Sequence, residues 1–133
     1  MSDGPADILV VEDDDDVRDS IVESLADEGY LLAAARNGRE ALDYLEGTTT
    51  LPRLILLDLM MPLMDGHEFR AAQLARSRLA KIPVVVLSAQ AHLNRTGEEL
   101  KAAAVHRKPV ALATLLAVAQ EFCGPPTRVA RGA

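Results

Sequence analysis

The stretch Leu54–Gly66, LILLDLMMPLMDG, decides the fold of this chain. Its first four residues form an apolar run that is too short to span a membrane and too uniform for a half-exposed strand. Such a run is typical of a strand buried on both faces, in a parallel sheet covered by helices. Asp58 follows directly, and Pro62 and Gly66 confine the next residues to a turn. We therefore expect Asp58 at the carboxyl end of a central strand, the edge of an open α/β sheet where ligands bind.

Four further strands are predicted around the central one, at residues 8–11, 31–35, 83–87 and 105–107. A helix is expected after each strand. The third should begin at Asp65-Gly66 with Phe69, Ala72, Ala75 and Leu79 on its inner face, and the fourth should cover residues 98–104. The last, residues 110–122, should bury Leu112, Leu115, Leu116, Ala119 and Phe122. This alternation predicts an α/β fold, a three-layer, doubly wound sandwich around a five-stranded parallel sheet.

Length and composition indicate one domain. The 133 residues, 49% of them hydrophobic and 26% charged, are typical of a soluble globular protein with a single core. We assign residues 1–7 to a flexible lead, 8–122 to the domain and 123–133 to a loose tail. The net charge of −6 and the scarcity of aromatic residues disfavour nucleic-acid binding. A single cysteine, Cys123, excludes an internal disulfide.

The residues just past the apolar runs bring charged and polar groups to one sheet edge. In a parallel sheet all carboxyl ends share an edge, and here they carry Glu12, Asp13, Asp58, Ser88 and Lys108. Bringing two carboxylates within about 4 Å costs on the order of 4 kcal/mol at an effective dielectric near 20. A hard divalent cation such as Mg²⁺ offsets that repulsion through oxygen ligands. The pattern therefore predicts a Mg²⁺ site, and the absence of a His or Cys pair at ligand spacing disfavours zinc.

These motifs together resemble the receiver domain of two-component response regulators. The resemblance covers the chain from Ile8 to about Phe122. It rests on the acidic pair after the first strand, Asp-x-x-Met-Pro-x-Met-Asp-Gly from Asp58, Ser-Ala from Ser88 and Lys-Pro from Lys108. Each motif alone is weak, but the combination is specific. It implies a flavodoxin-like sheet with strand order 2-1-3-4-5.

The resemblance also implies the chemistry. Asp58 would be the nucleophile that takes a phosphoryl group from a phosphohistidine on a sensor histidine kinase or a phosphotransfer protein. Lys108 would pair with Asp58 and then with a phosphoryl oxygen, and Ser88 would hydrogen-bond another phosphoryl oxygen. The peptide bond between Lys108 and Pro109 is commonly cis in the family, and Pro109 would help to aim the lysine.

A ligand set for Mg²⁺ follows from the same resemblance. Asp13 and Asp58 would bind the ion directly, and Glu12 would act closely or through water. The backbone carbonyl of Met60 would complete the protein ligands. The resulting aspartyl phosphate would be a signal that a downstream protein recognises.

The output surface departs from the family pattern. The position at which the family carries a switching aromatic residue on the fifth strand is Val105 here, and Lys101–Ala104 replaces the usual Gly-Ala before that strand. Phosphorylation would draw Ser88 toward the phosphoryl group and move the loop after the fourth strand. We expect the chemistry to be retained and the output surface to respond through a mobile fourth helix.

These features favour a signalling switch over an enzyme that acts on a separate substrate. A phosphatase resembling the haloacid dehalogenases would need an Asp two residues after the nucleophile, where Met60 stands. The remaining alternative is a receiver-fold adaptor that binds a partner without phosphorylation. We expect a cytoplasmic protein with no direct DNA binding and no membrane association. The cognate kinase, the downstream protein and homodimer formation are left open by the sequence.

Overall fold

The computed structural model describes residues 5–89 and 93–126, in which strands and helices alternate along the chain. The strands are β1 (Ile8–Val11), β2 (Leu32–Ala35), β3 (Leu54–Asp58), β4 (Val84–Ser88) and β5 (Ala104–Arg107). The helices are α1 (Asp15–Asp27), α2 (Gly38–Gly47), α3 (Gly66–Leu74), α4 (Leu93–Leu100) and α5 (Leu112–Cys123). All strand pairs are parallel, in the order β2-β1-β3-β4-β5. The predicted fold class and strand order are confirmed.

The uniform apolar strands separate two hydrophobic cores. Alternate residues of β3 point to opposite faces, so Ile55 and Leu57 pack with α2, α3 and α4, while Leu54 and Leu56 pack with α1 and α5. These four side chains are at most 2% exposed. Helices therefore cover both faces of the sheet, and this burial explains why the strand sequence shows no polar alternation.

Short polar side chains set the beginnings of three helices. The Asp14 carboxylate accepts a hydrogen bond from the Val17 amide, so an aspartate of the acidic run caps α1. Asn37 caps α2 in the same way. At α3, Asp65 and Glu68 form a reciprocal capping box.

The structure corrects three of the predicted helices. Helix α3 ends at Leu74, so Leu79 is buried from the following turn and Ala75 is exposed. Helix α4 covers Leu93–Leu100 instead of residues 98–104, because Lys101 adopts a left-handed conformation (φ 53°) that ends the helix. In α5, Leu112 is 47% exposed at the first turn, although the periodicity places it on the buried stripe.

The chain ends are only partly described, since residues 1–4 and 127–133 lie outside the described ranges. Ala6 is buried, and the Asp7 carboxylate accepts a hydrogen bond from the Leu31 amide. Helix α5 includes Cys123, which is buried and is the first residue of the predicted tail.

A buried polar network links α3 to the end of α4. The Arg70 guanidinium donates to the carbonyls of Leu100 (2.9 Å) and Lys101 (3.0 Å) and to the side chain of Gln73 (2.7 Å). The Gln73 amide nitrogen donates in turn to the carbonyls of Leu79 (2.9 Å) and Ile82 (3.0 Å). Arg70 is 6% exposed and Gln73 is fully buried. We call this set the Arg70–Gln73 network.

Two other helix ends also meet an arginine from a distant part of the chain. Arg78 donates to the carbonyls of Leu45 and Thr48 at the end of α2. Arg53 donates to the Cys123 carbonyl at the end of α5. None of the described helices carries a basic residue in its own last turn. Arginines from distant segments therefore supply the positive charge that stabilises these helix C-termini.

Candidate functional site

Glu12 is fixed at the carboxyl end of β1. Its amide donates to the Ala35 carbonyl at 3.0 Å, which continues the pairing with β2, and its side chain is buried. The Asp14 amide donates to Glu12 Oε2 at 3.1 Å. The next residue, Asp13, is exposed. The acidic pair thus lies at the predicted sheet edge, and the structure adds that one of its carboxylates is buried and the other accessible.

Asp58 is the last residue of β3 and is 7% exposed. The turn that follows folds back against it, because the Gly66 amide donates to the Leu59 carbonyl at 2.9 Å. A Cβ atom on Gly66 would lie 2.7 Å from the Asp58 carbonyl oxygen, so only glycine fits this approach without rearrangement. Gly66 therefore allows the turn to pack directly against the backbone of Asp58.

Lys108 connects the two buried acids. Its Nζ lies 2.5 Å from Glu12 Oε1 and 3.1 Å from Asp58 Oδ1. Its amide donates to the Ser88 carbonyl at 2.9 Å, and the bond to Pro109 is cis, as the family resemblance implies. The sequence predicts the pairing with Asp58, but it does not predict that Glu12 is the nearer partner.

Burial controls the electrostatics of this ion cluster. Desolvation raises the pKa of Glu12; the hydrogen bonds from Lys108 and the Asp14 amide act in the opposite direction, and the Asp58 charge raises the pKa further. For Lys108 desolvation lowers the pKa, but the hydrogen bonds to Glu12 and Asp58 outweigh it and the pKa is raised. The lysine therefore stays charged between two acids. With Asp13, which lies close to both acids, the cluster contains three carboxylates and one lysine.

The donor set suits a hard divalent cation. Carboxylate oxygens of Glu12, Asp13 and Asp58 lie within 4.8 Å of one another. Oxygen-only ligands that include an exposed carboxylate match the preference of Mg²⁺ rather than that of zinc. Lys108 already contacts Glu12 and Asp58. A bound divalent cation would compensate the additional negative charge that Asp13 brings to the cluster.

The other predicted site residues surround this cluster. Ser88 ends β4 and is buried. Met60 lies two residues after Asp58 with an exposed side chain, and its carbonyl stays a predicted ligand. Val105 lies on β5 and packs partly into the core; a Cβ atom on Gly97 of α4 would lie 2.9 Å from Val105 Cγ2. Helix α4 therefore packs closely against the strand at this point.

The structure also adds residues that the sequence reasoning does not identify. Arg18 of α1 donates to the backbone carbonyl of Glu12 at 3.0 Å. In the sequence, Arg18 stands out as the sole cationic residue between Glu12 and Ala35, inside a strongly acidic segment.

A cavity of about 650 Å³ between α1 and α5 reaches Lys108 and Pro109 and is lined mainly by apolar residues.

Comparisons with known protein families agree with this geometry. The sequence model of the response regulator receiver domain matches residues 8–120. An uncharacterized 14.6 kDa protein of Leptolyngbya boryana is 37% identical over 126 residues, which are 88% of this chain and 89% of that protein. Response regulator MprA of Mycolicibacterium vanbaalenii is 40% identical over 115 residues, 85% of this chain. The chain spans about half of MprA, since the match covers 48% of it.

Solved structures show the same fold. The receiver domain of a signal transduction histidine kinase from Syntrophus aciditrophicus superposes with a TM-score of 0.79 at 28% identity, covering 93% of this chain and 94% of that one. The chemotaxis protein CheY4 of Vibrio cholerae gives a TM-score of 0.78 at 29% identity, covering 90% and 99%. None of the helices in the described part of the chain has the length and hydrophobicity needed to cross a membrane.

Proposed function

Because the chain belongs to the response regulator receiver domain family, we propose that it is a phosphoacceptor switch in which Asp58 takes a phosphoryl group in a Mg²⁺-dependent reaction. The observation that carries the proposal is the contact of Lys108 Nζ with both Glu12 and Asp58, in a cluster that also contains Asp13. Two buried acids and an exposed third repel one another, and such a set is costly without further positive charge.

Asp58 is the proposed nucleophile. An oxygen of its carboxylate would form a bond to phosphorus while the bond between phosphorus and the donor imidazole nitrogen breaks, and the imidazole leaves with the bonding electron pair. Asp58 ends β3 and is largely buried. This placement would restrict the carboxylate and favour a defined direction of attack on phosphorus.

Lys108 and Ser88 would stabilise the transferred group. Lys108 can exchange its contact with Asp58 for one with a phosphoryl oxygen while it keeps its contact with Glu12. The Ser88 hydroxyl would donate to a second oxygen. Both residues are held together by the hydrogen bond from the Lys108 amide to the Ser88 carbonyl. When bound, Mg²⁺ would supply further positive charge to the phosphoryl oxygens, held by Asp13, Asp58 and the Met60 carbonyl with Glu12 close by.

The donor would be a sensor histidine kinase or a phosphotransfer protein. The apolar cavity between α1 and α5 reaches Lys108, which contacts Asp58, and would offer a contact surface to such a partner. We propose a cytoplasmic switch that catalyses its own phosphorylation and dephosphorylation, acts on no other substrate and signals by binding a downstream protein.

The output would pass from Ser88 to β5 and α4. The close approach of Gly97 to Val105 means that a shift of β5 displaces α4 directly, without an aromatic ring that swings between two positions. Pro109 follows Lys108 at the start of the α5 segment and would transmit the movement of the lysine to that side.

The test is intact mass after incubation of the full chain with a small phosphodonor such as acetyl phosphate. We expect a Mg²⁺-dependent gain of one phosphoryl group that is labile at alkaline pH and absent from Asp58→Asn. A folded protein that shows no gain with Mg²⁺ present would reject the phosphoacceptor role and favour a phosphorylation-independent adaptor.

A further inference from the structure

We propose that Arg18 is a positioning residue for the Mg²⁺ site, because it fixes the peptide unit between Glu12 and Asp13. The inference rests on the proposed function, since the site that Arg18 positions is the metal and phosphoryl site. Arg18 touches neither carboxylate of the pair: its Nη1 donates to the backbone carbonyl of Glu12 at 3.0 Å. Any positioning effect on the metal ligands must therefore pass through the backbone.

The backbone contact is the one that orders the Arg18 side chain. Arg18 also forms an ion pair with Asp15 at 2.6 Å, but the Asp15 side chain is 75% exposed whereas the Arg18 side chain is 13% exposed. Ion pairs with a solvated partner contribute little and are screened by salt. The hydrogen bond to the Glu12 carbonyl is therefore the main interaction that holds the Arg18 guanidinium out of solvent.

A fixed carbonyl restrains the two Cα atoms from which the neighbouring carboxylates extend. The peptide unit is planar, so the direction of the Glu12 carbonyl sets the positions of the Cα atoms of Glu12 and Asp13. Glu12 has further anchors, because its amide donates to Ala35 and its carboxylate accepts from Asp14 and Lys108. Asp13 is exposed, so its direction depends on the backbone that precedes it. Loss of the Arg18 contact should therefore affect Asp13 most.

Because Arg18 is charged, the direction of the change in Mg²⁺ affinity on its removal tests the proposal. A cation close to the acidic cluster repels Mg²⁺, so removing it by charge alone would tighten metal binding. A positioning role predicts the opposite, because a loosened Asp13 is a poorer ligand. The two explanations differ in the direction of the change, not only in its size.

The experiment is a Mg²⁺ titration of the full chain followed by amide-resolved NMR, for the wild type, Arg18→Met, Arg18→Lys and Asp15→Asn. We expect Arg18→Met to raise the dissociation constant about tenfold, the lower end of the range for residues that orient metal ligands. Arg18→Lys keeps the charge and one donor and should give an intermediate value. Asp15→Asn should stay within about twofold of the wild type, since it removes only the exposed ion pair.

Two controls separate positioning from general loss of structure. Arg39→Met removes a cation from an exposed pair with Asp43 on α2 and should leave the dissociation constant unchanged. Phosphorylation by acetyl phosphate should be slow in Arg18→Met at low Mg²⁺ and should approach the wild-type rate at saturating Mg²⁺. A merely destabilised protein would not recover with the metal in this way while its amide spectrum remains that of a folded chain.

Unchanged or tighter Mg²⁺ binding in Arg18→Met overturns the proposal, as does equal weakening in Asp15→Asn. If Arg18→Met does not fold, Arg18→Lys decides: a dissociation constant at or below that of the wild type overturns the proposal. A wild type that binds no Mg²⁺ rejects the metal-dependent function and this inference with it. A wild type that binds Mg²⁺ beside an unaffected Arg18→Met rejects the inference alone.

Discussion

Two buried polar regions of this molecule differ in how their charge is compensated. In the Arg70–Gln73 network, a buried cation is surrounded by neutral acceptors, the carbonyls of Leu100 and Lys101 and the Gln73 side chain. In the acidic site, Lys108 faces Glu12 and Asp58, with Asp13 nearby. The first region is complete within the protein. The second has more negative charge than its own residues compensate.

The difference separates structure from function. A buried polar network whose members all have partners holds elements together and offers no place for a ligand. In a cluster with excess negative charge at an accessible sheet edge, the carboxylates repel one another, and a bound cation can relieve that repulsion. Such uncompensated charge is common in functional sites. Burial of polar groups alone does not distinguish the two regions; repulsion between like charges is present only in the acidic site.

The largest effect should come from Arg70→Met. Methionine keeps much of the apolar stem but leaves the carbonyls of Leu100 and Lys101 without their donor. We expect the free energy of unfolding to fall by about 2–6 kcal/mol, at about 1–3 kcal/mol for each of the two carbonyls left unsatisfied. Urea denaturation measures this, with Arg39→Met as an exposed control. A loss equal to that of the control would show that the network does not stabilise the fold, and Asp58 should still be phosphorylated in the folded variant.

An intermediate effect should come from Mg²⁺. At ten times its dissociation constant, a ligand that binds only the folded state stabilises it by about 1.4 kcal/mol. We expect the same increment in the wild type and in Arg70→Met, because separate regions contribute additively. Paired urea denaturations with Mg²⁺ and with a chelator measure the two increments. Increments that differ clearly would mean that the two regions are coupled through α3 and α4.

The smallest effect, of opposite sign to the first, should come from Asp58→Asn without metal. Removing one carboxylate relieves its repulsion of Glu12, whose pKa the Asp58 charge helps to raise, while asparagine can still accept from Lys108. We expect a gain of about 1 kcal/mol in the free energy of unfolding, the usual direction when a strained functional group is removed. Thermal and urea denaturation in the presence of a chelator check it. A loss of stability would show that the pairing of Asp58 with Lys108 outweighs the repulsion.

The sequence predicts the acidic site better than it predicts the Arg70–Gln73 network, for a physical reason. The strands β1, β3 and β4 are short uniform apolar runs, so their ends are visible, and parallel topology alone brings Glu12, Asp58 and Ser88 to one edge. Arg70 and Gln73 lie on a helix face where polar residues normally indicate solvent. Their partners are carbonyls of α4 and of the turn after α3, whose positions depend on the complete fold.

The wrong helix boundaries have a related cause. Helix α4 ends where Lys101 takes a left-handed conformation that favours glycine, and a lysine gives no sign of such a turn. Leu79 is buried as the periodicity predicts, but from a turn instead of a helix. In both places the local pattern is overridden by packing between distant segments, which a single sequence does not display.

The three helix ends that depend on Arg53, Arg70 and Arg78 have a consequence for how the molecule unfolds. Each arginine lies at least 30 residues from the carbonyl it caps, so a helix keeps its terminus only while distant strands and helices are in place. Opening one element thus removes support from others, and the domain should lose its structure as one cooperative unit. Excised fragments that contain α2, α4 or α5 without their arginine should be poorly helical, because the stability of each element is held jointly by the whole chain.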